Sequence, residues 1–90
     1  MNVAIELDIF SRIIDASNPT LSVNAAKALL ELSYPEADHA RIAELSAKSN
    51  EGTLSGDERR ELEGYVFVGD VISLLQSKAR LSLKTHTSAA

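Results

Sequence analysis

The stretch YVFVGDVISLL, Tyr65 to Leu75, decides the fold, because its residues support two incompatible readings. Its β-branched and aromatic content suits a hairpin in which YVFV and VISLL turn at Gly69-Asp70. Against that, Leu62, Tyr65, Gly69, Ile72, Gln76, Ala79 and Leu83 keep alternating spacings of three and four, the period of one helix face. Strong helix formers flank the stretch on both sides, which favours one long helix from about Ser55 to Leu83. The middle of that helix is apolar nearly all round, with only Asp70 and Ser73 polar, so its neighbours must cover more than one face. Tyr65, Val68, Ile72 and Leu75 form one ridge, and Phe67, Val71 and Leu74 form another rotated well away from it. Three further helices of modest hydrophobicity cover one ridge easily and two with difficulty. Phe67, Asp70, Val71 and Leu74 are therefore the expected contacts to another chain, with Asp70 suited to a basic partner.

The residues just upstream, KSNEGTLSGDERRELEG, look like a calcium loop running into a helix. With Gly52 as the sixth position of such a loop, Leu54 falls eighth and Glu58 twelfth, but the first position, where an Asp anchors the ion, falls on Ala47. A turn explains the same residues without a metal. Gly52 takes positive φ past a helix end, Leu54 drops into the core, and Ser55 and Glu58 form a capping box that starts the next helix. No metal and no cofactor are expected.

Further outward, Ile9, Phe10, Ile13 and Ile14 predict a first helix over about 5–15, although Val3, Ile5, Leu7 and Ile9 alternate as a short strand would. SNPT, Ser17 to Thr20, is a turn, and Ser22 caps a second helix, Val23 to Leu32. SYPE, Ser33 to Glu36, is a corner that offers a second Ser-x-x-Glu box and Pro35 in the first turn of a third helix, about 35–49. That helix has a thin apolar stripe through Ala37, Ala40, Ile42, Leu45 and Ala47.

Ninety residues make one domain, which buries roughly 60–65% of the surface of its unfolded chain and gains stability from a partner or a second copy. With no cysteine there is neither a disulfide nor a thiolate metal site. The N-terminus carries acids and no basic leader, and no apolar run reaches membrane-spanning length, so a cytoplasmic protein with no membrane contact is expected. Residues 1–70 hold 13 acids against 6 bases, a net of −7, whereas residues 71–90 hold three bases and no acid. An acidic body argues against a nucleic-acid partner and suits a basic protein. His39 lies among EADHAR on a solvated face. Arg80 and His86 have the Arg-x5-His spacing of the HEPN-type ribonucleases, but His86 falls in a segment, KTHTSAA, that reads as a tail.

Leu21 to Lys84 resembles a group of small, uncharacterised all-helical bacterial proteins. The resemblance rests on Leu21, Ser22, Ala25 and Ala26, on the corner Pro35 to Asp38, on the Gly-Thr-Leu turn Gly52 to Leu54, and on the Gln-Ser-Lys-Ala-Arg run Gln76 to Arg80. Such proteins are often encoded beside an HNH-type endonuclease, an arrangement like that of a toxin and its antitoxin. The resemblance implies an all-helical fold and a protein partner such as a basic nuclease, and it implies no catalytic residue.

The expected fold is all-α, with four helices. The third and the long fourth form an antiparallel hairpin, the first two pack across it, residues 1–84 form a single helical domain, and residues 85–90 form a flexible C-terminal tail. The expected function is a small acidic, non-catalytic interaction module, an antitoxin-like partner or inhibitor of a nuclease. The alternatives are a self-associating structural module, hence a homo-oligomer, and a HEPN-like ribonuclease.

Overall fold

The protein is described by a computed structural model over residues 4–88. Its four helices are α1 (Ala4–Ile14), α2 (Val23–Leu30), α3 (Glu36–Glu51) and α4 (Gly56–Ser88), and no strand occurs among the described residues. The Tyr65–Leu75 stretch is helical throughout. The alternation that left a strand open at the N-terminus is helix from Ala4 on, and Val3 lies outside the described residues.

The 33-residue α4 is the spine of the molecule, about 50 Å long at 1.5 Å per residue. The seam read from the sequence is its inner face: Ala79 is fully buried, and Leu62, Tyr65, Gly69, Ile72, Gln76 and Leu83 are half-buried. Polar contacts fix where the other helices lie along it. Leu21 N–H donates to Ser82 Oγ at 3.2 Å, and Gln76 Nε2 donates to the carbonyls of Leu29 and Leu32, so α2 runs antiparallel to the C-terminal half of α4. Tyr65 Oη donates to Asp38 at 2.6 Å and Arg41 meets Glu61, so α3 runs antiparallel to the N-terminal half. Lys78 Nζ donates to the Ile14 carbonyl at the end of α1, while Ala4 and Leu7 lie beside Asp70, so α1 runs parallel to the middle of the spine.

Helix ends follow the expected chemistry at three of four sites. Ala25 N–H donates to Ser22 Oγ at 3.1 Å, the N-cap of α2. Gly52 has φ 73° and ψ 25°, with Thr53 N–H on the Lys48 carbonyl and Gly52 N–H on that of Ser49, a Schellman ending to α3. Ser55 and Glu58 then exchange hydrogen bonds of 3.0 and 3.1 Å, the capping box of α4. Leu54, between them, is half-buried.

The expected box at Ser33 and Glu36 does not form. Pro35 is itself the N-cap, with no side-chain hydrogen bond, and its carbonyl accepts from Asp38 and His39 N–H. Tyr34 turns inward instead, and its hydroxyl donates to the Tyr65 carbonyl. That hydroxyl lies 3.2 Å from where a Cβ would stand on Gly69, so this glycine admits a close approach within a continuous helix and makes no turn. Of the α3 stripe, Leu45 is buried and Ile42 half-buried, but Ala37, Ala40 and Ala47 are exposed. At the other end α4 continues to Ser88, so residues 85–88 are helical where a tail was read; Ala89 and Ala90 lie outside the described residues.

Candidate interaction surface

The polar groups at the hairpin serve its structure. Arg41 donates from Nε and Nη2 to the two carboxylate oxygens of Glu61, both at 2.8 Å, and its Nη1 lies 3.1 Å from Glu44. The bidentate bond raises the Arg41 pKa and holds Glu61 below the ordinary carboxylate value. Glu58 puts one oxygen on the Lys48 ammonium and the other on Ser55 N–H. The Lys48 hydrogen bond, followed by that from Ser55, lowers Glu58 to about 2. Tyr65, hydrogen-bonded to Asp38 and partly desolvated, is raised to about 12. Every carboxylate in this network already has a partner, and among the described residues no cluster of three or more metal-ligating side chains occurs.

The expected partner contacts divide. Phe67, Val71 and Leu74 are half-buried because α1 lies against this part of α4, and Asp70 is exposed. Two open grooves meet there. One, of about 510 Å³, runs between α1 and α4 past Ser11, Leu74 and Ser77. The other, of about 540 Å³, is lined by Leu54, Leu62, Val66 and Phe67, with Arg59 beside them. Ala4, Leu7 and Asp70 line both.

The apolar side chains left open are mostly ones outside the two ridges read from the sequence. Ile5 is 71% exposed, Ile9 44%, Ile13 74% and Val66 57%, with Leu32 and Val68 also exposed. Helix α1 is apolar on two sides: Leu7, Phe10 and Ile14 are half-buried, while Ile5, Ile9 and Ile13 form a second stripe at spacing four that faces away. The signal was present in the sequence as more isoleucines than one helix face can use.

The structural turn residues Gly52, Leu54, Ser55 and Glu58 act as a unit at the hairpin, as described above. Arg80 and His86 do not converge. Six residues of helix rotate the second side chain to about 120° from the first, and His86 Nε2 lies 3.2 Å from the Leu21 carbonyl. His39 is exposed and packs edge-on against Tyr34. No helix among the described residues is long and apolar enough to cross a membrane. The chain matches no family model, no curated protein and no solved structure.

Proposed function

We propose that this chain is a small acidic, non-catalytic protein-interaction module. The observation that carries the reading is the exposed apolar side chains: Ile5, Ile9 and Ile13 stand open along α1, and Val66 stands open at the groove that α1 and α4 both line. Exposed apolar surface beyond singly scattered residues marks interaction sites in soluble proteins. The non-catalytic part draws support from the hairpin network, whose carboxylates are already paired, and from the divergence of Arg80 and His86.

The test is association. The wild-type chain should bind itself or another protein, and Val66→Glu should weaken that binding with helical circular dichroism unchanged. A chain that remains monomeric, captures nothing from its native cell and behaves identically after Val66→Glu would refute the reading. RNA and DNA should remain uncut by the purified protein; cleavage abolished in both Arg80→Ala and His86→Ala would establish the ribonuclease alternative.

A more specific form follows from charge. Glu36, Glu44, Glu51 and Asp57 are exposed on α3 and the start of α4; Glu44 and Asp57 pair with Arg41 and Arg60, and eight acids against four bases over residues 36–63 leave that end with a net acidic surface. Such a surface mimics phosphate charge and can block a basic nuclease cleft in an antitoxin-like manner. Inhibition of an HNH-type endonuclease that fades with added salt is the expected result, and inhibition indifferent to salt would exclude this mode.

A further inference from the structure

We propose that α1 is a displaceable lid on α4, which opens as a unit about a pivot at Asp15 and bares the ridge of Phe67, Val71 and Leu74. The opening involves this chain alone, so it stands or falls independently of the interaction reading.

The other two short helices are locked to the spine. Ala26 of α2 and Leu45 of α3 are fully buried. Gln76 ties the Leu29 carbonyl of α2 to α4, and Arg41–Glu61 and Asp38–Tyr65 tie α3 to it. By contrast, α1 has no buried residue, and among the described residues it packs on α4 and on no other helix. Half of its large apolar side chains contribute nothing to that docking: Leu7, Phe10 and Ile14 are half-buried, but Ile5, Ile9 and Ile13 stay exposed. The bonds of Ser11 to the Asp8 carbonyl and of Arg12 to the Asp8 carboxylate are internal to the helix.

The two ends of α1 are held differently. At the C-terminal end the Lys78 ammonium donates to the carbonyl of Ile14, the last residue of the helix, and lies 3.4 Å from that of Asp15. Asp15 has φ 49°, a left-handed conformation that ends the helix and turns the chain. At the other end Ala4 and Leu7 line both the 510 Å³ and the 540 Å³ groove, so open space flanks the first turns on two sides. The helix is pinned at Lys78 and loosely seated at Ala4 and Leu7.

An isolated helix of 11 residues is too short to persist in water, so α1 released from α4 melts as a whole, and its docking and its helix formation are one step. The opened state leaves α2, α3 and the spine in place, because α2 and α3 take no helix contact from α1 and the backbone bonds of α4 are internal to it. Closed, α1 occupies the ridge as a partner helix would, an autoinhibitory contact built into the chain.

Hydrogen exchange of the full chain, followed amide by amide, tests this. The amides of Asp8 to Ile14 should share one protection factor, about 100-fold or more below those of Ile72 to Leu83, and it should respond weakly to low denaturant because the opening exposes little surface. Lys78→Met keeps the packed aliphatic stem and removes the donor, so it should lower α1 protection by about tenfold more and leave that of α3 unchanged. Protection that rises steadily from Asp8 to Ile14 would mean simple fraying, and α1 amides that exchange together with those of Ile72 to Leu83 would mean global unfolding. Either result overturns the proposal, as does a folded Lys78→Met chain with wild-type exchange in α1. If Lys78→Met unfolds the whole molecule, the wild-type comparison decides alone.

Discussion

Gly52 is the residue on which the hairpin turns, because its φ of 73° is where an L side chain is strained even though no atom lies within 4 Å of where a Cβ would stand. Gly52→Ala should therefore lower stability by about 1 kcal/mol through backbone strain alone. Chemical denaturation should show the loss at unchanged m-value, and an unaltered midpoint would exclude the left-handed conformation. Three residues away the capping box makes Glu58 a pH sensor for the fold. Its folded pKa of about 2 lies below the ordinary 4.5, so its contribution is complete above about 4.5 and disappears as pH falls through about 2. Thermal melts between these values should fall with pH, and Glu58→Gln should flatten that fall. Gly52, Ser55 and Glu58 were all readable in advance, since positive φ and capping bonds are local and depend on neighbours a few residues away. Tyr34 was not: its bond to the Tyr65 carbonyl joins residues 31 apart.

Among the elements, α4 does more than present an apolar seam. Gln76, Lys78 and Ser82 reach the ends of the shorter helices, satisfying carbonyls at the C-terminal ends of α2 and α1 and the Leu21 N–H before α2. Ala26 and Ala79 lie level with each other between the Leu21–Ser82 and Leu29–Gln76 contacts, and both are fully buried. Small residues there let α2 and α4 approach closely. Ala79→Leu should overpack that crossing and cost about 1–3 kcal/mol, whereas Ala43→Leu on the exposed face of α3 should change stability little. Equal melting temperatures for the two variants would show that the crossing tolerates bulk. The helical character of Tyr65–Leu75 was legible from its three-and-four spacing, and β-branched content was overridden by burial along the seam. The uses of Gln76 and Lys78 were not legible, because nothing in their local sequence identifies the carbonyls that they meet.

For the whole molecule, three helices distributed along a 50 Å spine make a thin body and a small core. Ala26, Leu45 and Ala79 are the buried apolar residues among those described. A fold with so little fully buried surface would gain stability from any chain that covered the rest, and if the chain associates with itself that gain depends on concentration. Raising the protein from about 5 to about 500 μM should raise Tm by about 5 °C, and a Tm independent of concentration would indicate a fold sustained by the monomer alone.

The sequence by itself determined the four helices, the long continuous α4, its inner seam and the Gly52 turn, because helical periodicity, capping and positive φ are properties of residues within a few positions of one another. Only the tertiary structure decided which apolar faces found cover. The two ridges on α4 pointed to an open surface at Phe67, Val71 and Leu74, yet α1 lies along that part of the spine and leaves them half-buried, while its own Ile5, Ile9 and Ile13, together with Val66, remain open. Amphipathic pattern shows that a helix needs neighbours; where those neighbours come to rest depends on loop reach and on contacts such as Lys78 with the end of α1, which join residues more than sixty positions apart.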